Sequence, residues 1–93
     1  MKIGPDSKPA LATFAELRND PLSGSAVLRY PGGFLELDAA AHEILGRCDG
    51  ATTVDEIIAA LRTDFEASPA EMTREVLSLL RQLSARDLIV FVS

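Results

Sequence analysis

Hydrophobic positions with a helical spacing run through residues 38–58 and open the helical part of the chain. Four apolar residues recur there three or four positions apart: Ala41, Ile44, Leu45 and Cys48. This spacing predicts a helix with one apolar face. Asp38 stands directly before it, where its carboxylate can accept from free backbone amides, and Gly50 is expected to end it in a left-handed conformation.

A second helix is predicted to start shortly afterwards, because Thr53 and Glu56 have the spacing of a capping box. In that arrangement each side chain accepts a hydrogen bond from the backbone amide of the other residue. The apolar face that follows consists of Val54, Ile57, Ile58, Leu61 and Phe65. Since only a few residues separate the two helices, they must turn sharply against each other.

The last helix has a clear start, since Ser68 is a favoured cap, Pro69 fits the first helical position and Glu71 lies three residues after the cap. Its apolar stripe consists of Met72, Val76, Leu79, Leu80 and Leu83. Leu77 lies beside this stripe and widens the apolar sector beyond what core packing requires. Part of this helix is therefore expected to face a groove.

Before these helices the chain has the pattern of β-strands, in which successive side chains point to opposite faces. Residues 26–30 and 34–37 are rich in β-prone residues, and Pro31 and Gly32 between them predict a tight hairpin turn. We interpret residues 11–18, which also alternate, as a first strand, although their alanines would suit a helix as well.

Both ends of the chain have a distinct character. Residues 1–9 contain Gly4, Pro5 and Pro9 and are expected to form a mobile arm. Residues 88–92 form an apolar, β-prone tail that would favour aggregation as a free edge. Together the elements predict one α+β domain over residues 10–93, in which a three-stranded antiparallel sheet precedes three helices, in the order of a winged helix-turn-helix.

Length and composition limit the possible functions. With 93 residues the chain is one domain, too small for a deep active-site cavity. No run of about 18 apolar residues is present, so no membrane span is expected, and no apolar stretch follows Lys2 to make a secretory signal. Cys48 is the one cysteine and cannot form an internal disulfide, which fits a reducing cytosol.

The net charge of −5 is concentrated in the helical part of the chain. Residues 1–37 are neutral, whereas residues 38–93 hold five Arg against ten acidic residues. The last helix offers Arg74 and Arg81 but lacks the Lys and Asn side chains common at base edges. Because nucleic-acid binding draws most of its affinity from clustered cations, this pattern argues against a nucleic-acid partner.

No combination of residues indicates a catalytic or metal site. His42, the one histidine, lies six residues from Cys48, a spacing that places the two on different faces of a helix. We interpret Cys48 as a small core residue and His42 as a surface residue. Spacings typical of zinc sites, phosphate loops or nucleophile elbows are absent from the sequence. The sequence therefore predicts a protein that is not an enzyme and holds no cofactor or metal.

The strand predicted at residues 34–37 offers a different kind of site. If its outer edge is unpaired, an extended peptide could add to it through backbone hydrogen bonds and place side chains against the apolar flank of the last helix. The alternative is that the first strand or the tail of residues 88–92 covers this edge. Both arrangements are compatible with the residues.

Several of these segments together resemble one protein family. The matching residues are Tyr30-Pro31-Gly32-Gly33-Phe34-Leu35-Glu36-Leu37-Asp38, then Ala41 and Ile44-Leu45, then Cys48-Asp49-Gly50, Thr53-Val54 and Glu56-Ile57, and finally Glu75-Val76 with Leu80 and Leu83. Over residues 9–90 the chain resembles the PqqD family of pyrroloquinoline quinone biosynthesis. Related recognition domains of other modified-peptide pathways share a looser form of this pattern.

The resemblance implies a small winged-helix peptide chaperone. Such a protein binds the ribosomally made precursor peptide PqqA and presents it to the radical S-adenosylmethionine enzyme PqqE, which cross-links a glutamate and a tyrosine of the peptide. In the family the peptide pairs with the third strand and packs against the third helix, here residues 34–37 and 72–83. The expected peptide-binding residues are Phe34, Leu35, Glu36, Leu37, Met72, Val76, Leu79, Leu80 and Leu83, with Arg74 and Arg81 for acidic groups on the peptide.

Three alternatives accompany this expectation. The chain could serve another modified peptide, since the looser pattern is shared by related domains. It could be a winged-helix transcription factor, which requires binding that weakens steeply with salt. It could also be a self-associating scaffold, with a homodimer formed through the apolar tail.

Overall fold

The structure is a computed structural model that describes residues 3–19, 22 and 24–92. Within these residues the elements follow in the order β1 (Lys8–Leu11), β2 (Glu16–Asn19), β3 (Ala26–Tyr30), β4 (Gly33–Leu37), α1 (Ala39–Gly46), α2 (Val54–Asp64), α3 (Pro69–Ala85) and β5 (Ile89–Val92). Strands β2, β3 and β4 form a three-stranded antiparallel sheet in that spatial order. The prediction of an α+β domain with such a sheet before three helices is therefore confirmed.

The β3–β4 hairpin has the predicted turn. Its closing pair, Tyr30 and Gly33, is joined through Pro31 and Gly32, and Gly32 has a φ of 99°. Proline presets the φ of the first turn position, and a positive φ at the second is open to glycine without a Cβ penalty. The turn fixes the register of the hairpin, which decides below which backbone groups face outwards.

The prediction of one strand over residues 11–18 is wrong. The structure divides this stretch into the end of β1 and most of β2, and a turn between them brings the amide of Ala15 to 2.9 Å from the carbonyl of Ala12. Strand β1 leaves the three-stranded sheet and pairs antiparallel with β5 in a second, two-stranded sheet. Alternation continues through the turn, so the pattern of side chains does not reveal the break.

Residues 5–9 of the mobile arm predicted at residues 1–9 make backbone contacts with the domain. Ser7 and Pro5 accept hydrogen bonds from the first amides of α2, Val54 at 2.8 Å and Asp55 at 3.0 Å. Pro9 is fully buried and lies in β1. Proline lacks an amide donor but keeps its carbonyl acceptor, and this segment uses its carbonyls to satisfy otherwise free amides of a helix start. Met1 and Lys2 lie outside the described residues.

The three helix starts predicted from the sequence are present. They are the bond from the Ala41 amide to Asp38 at 2.7 Å, the reciprocal Thr53–Glu56 pair at 2.9 and 3.1 Å, and the bond from the Glu71 amide to Ser68 at 3.1 Å. The predicted end of α1 differs, because the helix stops at Gly46 with Arg47 as its C-cap at φ −99°. Gly50 does have a positive φ of 79°, but it lies in the link to α2, where its amide donates to Pro9.

The hydrophobic core lies between the helices and the inner face of the three-stranded sheet. Its most deeply buried side chains include Leu28, Ile44, Leu45, Val54, Ile57, Leu61, Val76, Leu80, Leu83 and Leu88. On the surface, Arg47 joins α1 to α2 by ion pairs to Glu43 at 2.7 Å and Asp64 at 3.4 Å. The apolar tail is used within the chain, since β5 pairs with β1 and Ile89 is buried. Self-association through this tail stays a prediction.

Candidate functional site

Strand β4 lies at the edge of the three-stranded sheet, with β3 as its one neighbour among the described strands. Hydrogen-bonded and non-hydrogen-bonded pairs alternate along an antiparallel ladder. Because Tyr30 and Gly33 close a two-residue turn as a hydrogen-bonded pair, Leu28 and Leu35 form the next such pair. The amide and carbonyl of Phe34 therefore point away from β3. Those of Glu36 do so as well, so two residues offer backbone groups at the free edge.

The side chains of β4 alternate between the two faces of the sheet. Leu35 and Leu37 are half-buried and pack against the core, whereas Phe34 is 60% exposed and Glu36 is exposed on the opposite face. The half-buried residues fix the strand to the domain. The exposed residues carry the outward backbone groups. An added strand would therefore meet backbone donors and acceptors on a firmly anchored edge.

A cleft of about 620 Å³ begins where β4 ends, at Asp38, and continues between α1 and α3. Its volume lies within the range of roughly 300–1,000 Å³ that is usual for ligand clefts. The apolar residues that line it are Ala40, Ala41, Ile44, Phe65, Ala67, Met72 and Leu79. Phe65 and Ala67 come from the short link between α2 and α3. We call this space the α1–α3 cleft.

The polar residues of the α1–α3 cleft are mainly acidic. Asp38 from the start of α1, Glu66 from the link, and Glu71 and Glu75 from α3 are accompanied by a single cation, Arg74. Asp38 accepts from the Ala41 amide as a helix cap. The ion pairs found among the described residues lie elsewhere in the molecule.

The structure brings some of the predicted site residues together and separates others. Met72, Arg74 and Leu79 line the α1–α3 cleft, and β4 leads into it through Asp38. Val76, Leu80 and Leu83 point into the core, with relative exposures of 0%, 0% and 1%. Arg81 is exposed but does not line the cleft. The predicted stripe therefore consists mostly of core residues, with Leu79 at its cleft-facing border.

Other residues of the cleft were not predicted from the sequence as part of a site. They are Asp38, Ala40, Ala41 and Ile44 of α1 and its N-cap, Phe65, Glu66 and Ala67 of the link, and Glu71, Glu75, Ser78 and Gln82 of α3. Phe65 did carry a signal, because it ends the apolar face of α2 and directly precedes the link. The polar residues of α3 carried a weaker one, since they share a helix face with Leu79.

The described residues hold no group of three or more side chains suited to binding a metal ion. Cys48 is buried, as predicted, and its thiol donates to the carbonyl of Ile44 at 3.3 Å. Burial, and secondarily the charge of Asp49, raises the pKa of this thiol to about 12, so it stays protonated and poorly nucleophilic. His42 is partly exposed on α1.

Among the described residues, no helix has the length and apolar character needed to cross a bilayer.

The fold and the site define a small α+β domain with a free sheet edge on β4 and, from Asp38 onwards, a cleft of mixed apolar and acidic lining beside a long helix. This arrangement is suited to strand addition. The family model of Coenzyme PQQ synthesis protein D (PqqD) matches residues 25–89, and the chain belongs to this family. The PqqA binding protein of Rhodopseudomonas palustris (strain BisB5) is 37% identical over 89% of this chain and 81% of that protein.

Two solved structures share this fold. The first is the solution NMR structure of the PqqD truncation of Methylobacterium extorquens PqqCD, described as a stand-alone recognition element for ribosomally synthesised and post-translationally modified peptides. It has a TM-score of 0.80 and 28% identity, and the match covers 96% of this chain and 95% of that one. The second, TbiB1 in complex with the TbiA(beta) leader peptide, has a TM-score of 0.73, covers 86% and 93% of the two chains, and at 18% identity shows the fold alone.

The predicted family is therefore confirmed. The PqqD family consists of recognition elements and not of enzymes, which confirms the prediction of a protein without catalytic activity.

Proposed function

We propose that this protein binds the ribosomally made precursor peptide PqqA as an added strand along β4, with peptide side chains in the α1–α3 cleft. The observation that carries this proposal is the free edge of β4, whose outward backbone groups at Phe34 and Glu36 end beside the cleft at Asp38. Backbone bonds at the edge supply affinity, and the cleft supplies selectivity for side chains. Relatives named as PqqA binding proteins support the choice of peptide.

The role that follows is presentation of the bound peptide to the radical S-adenosylmethionine enzyme PqqE. The chain supplies binding and orientation, and the partner enzyme supplies the chemistry. A peptide held as an edge strand is extended and ordered over the bound segment, while its remaining residues stay free to enter another active site. This division of labour is consistent with the absence of a metal-binding group among the described residues. We place the reaction in the cytosol, because Cys48 is a free, buried thiol and the chain has no internal disulfide that would need an oxidising compartment to form.

We further propose that the β3–β4 hairpin and the helices represent a winged helix-turn-helix adapted to peptides. Charge argues against the transcription-factor alternative, because the surface of α3 that borders the cleft has more acids than cations. If nucleic acid were the partner, binding to a labelled duplex would be detectable at low salt. We expect none.

Calorimetric titration with synthetic PqqA peptide is the direct test. We expect saturable binding with one peptide per chain, because β4 is the one described edge strand that is directly followed by a residue of the cleft, Asp38. A peptide of the same composition in scrambled order is the control and should bind much more weakly. If PqqA and the scrambled peptide bind equally, or neither binds with or without PqqE, PqqA is not the ligand and the alternative of another modified peptide takes its place.

Two leucines of α3 allow a separate test of whether the peptide occupies the cleft. Leu79 and Leu77 are both half-buried, but only Leu79 lines the α1–α3 cleft. Replacing Leu79 by Ala should weaken PqqA binding about fivefold to tenfold, because about 1 kcal/mol of apolar contact with the peptide is lost. Leu77→Ala is the matched control and should change binding less than twofold. Equal losses of affinity in the two variants would place the peptide elsewhere.

A further inference from the structure

The charges of the α1–α3 cleft restrict which peptide side chains can occupy it. Four carboxylates line the cleft against one guanidinium, that of Arg74. In the described structure the side chains of Glu66, Glu71 and Glu75 take part in no ion pair. The sequence alone predicted a peptide of the opposite charge, since Arg74 and Arg81 were expected to meet acidic groups on it.

The arrangement of these groups along α3 combines charge with an apolar surface. Glu71, Glu75 and Leu79 are each four residues apart and therefore form one row on the helix that faces the cleft. The half-buried side chains of Phe65 and Ala67 line the same cleft. A lysine or arginine suits such a surface, because its methylene stem packs on apolar groups while its charged end reaches carboxylates.

We infer that the segment of the peptide in the α1–α3 cleft combines apolar side chains with at least one Lys or Arg, which pairs with Glu71 and Glu75. This inference rests on the proposed function and adds the charge of the ligand to it. An acidic peptide side chain in the same place would face four carboxylates, and Arg74 alone would not offset them. The cleft therefore selects against acidic segments as well as for basic ones.

The test is a comparison of wild-type protein with Glu71→Gln, Glu75→Gln and the double variant. The control is Asp55→Asn, which removes another exposed carboxylate from the first turn of a different helix, outside the cleft. Each protein is titrated with synthetic PqqA and with a PqqA peptide in which every Lys and Arg is replaced by Gln. The titrations are repeated at about 0.5 M salt, where charge effects between exposed groups are largely screened.

For PqqA we expect the affinity of each single variant to fall about twofold to fivefold at low salt, as is usual for partly exposed ion pairs. The difference should shrink at high salt and disappear with the peptide that lacks basic residues, while Asp55→Asn binds like wild type. If the double variant binds PqqA as tightly as wild type, or more tightly, the inference is overturned and the proposed function stands. If wild type does not bind PqqA at all, it is the proposed function that fails.

Discussion

Replacing Glu36 by Pro is expected to reduce the affinity for PqqA roughly tenfold to a hundredfold. The amide of Glu36 points to the free edge of β4, where an added strand would accept from it. Proline has no amide hydrogen, so a peptide carbonyl would lose its donor when the strand docks. An unsatisfied group of this kind costs about 1–3 kcal/mol. Calorimetric titration against wild type measures the loss.

The domain itself should tolerate this change. Proline is acceptable on an edge strand where the missing amide would face outwards, and the ladder bonds to β3 come from Leu35 and its alternating neighbours. Circular dichroism and the midpoint of thermal unfolding should stay close to those of wild type. Proline at Leu35 would be a poor test of binding, because it removes an amide that bonds to β3 and so breaks the hairpin.

Glu36→Ala is the matched control, since it removes the same side chain but keeps the amide. We expect its affinity for PqqA to stay within about twofold of wild type, because the Glu36 carboxylate is exposed on the outer face of the sheet. If both variants lose affinity equally, the side chain and not the backbone carries the contact. If Glu36→Pro is folded and binds PqqA normally, the peptide does not add to β4.

Features that depend on neighbouring residues could be predicted from the sequence. The cap at Asp38, the capping box of Thr53 and Glu56, and the positive φ of Gly32 are determined within three or four residues, and each is present. The hairpin of β3 and β4 is similarly local, since a two-residue turn sets its register. Local chemistry of this kind leaves the backbone few alternative conformations.

Pairings between distant segments could not be predicted in the same way. Strand β1 pairs with β5 about 80 residues further along, and the pattern of its side chains is the same whether it joins β2 or β5. The carbonyls of Pro5 and Ser7 cap α2, yet a backbone carbonyl leaves no mark in the sequence. The same limit applies to the free edge of β4, because an edge is defined by the strand that fails to cover it.

The division of α3 between core and cleft shows the same limit within one helix. Leu79 and Leu80 are adjacent and both belonged to the predicted stripe, but Leu80 is fully buried and Leu79 borders the cleft. Periodicity identifies an apolar sector of about 100° or more, and it does not say which part of that sector meets another helix. The position of α1 across from Leu79 decides this, and that position depends on tertiary packing.

Leu80→Ala is expected to lower the free energy of unfolding by about 2–5 kcal/mol. Leu80 has 0% relative exposure and belongs to the core with Val76 and Leu83. Removing most of a buried leucine side chain loses its transfer free energy and leaves a cavity that close-packed neighbours fill only in part. For a domain of this size the loss is a large fraction of the total stability. Urea denaturation followed by circular dichroism measures it.

The comparison with Leu79→Ala separates the core from the cleft. Leu79→Ala should cost about 1 kcal/mol or less in stability and weaken PqqA binding. Leu80→Ala should cost much more stability but leave PqqA binding unchanged at temperatures where the variant remains folded. The two substitutions delete the same atoms from adjacent positions, so only their surroundings differ. If Leu80→Ala leaves the unfolding midpoint unchanged but abolishes PqqA binding, Leu80 contacts the peptide. The boundary between core and cleft would then lie one residue further along α3.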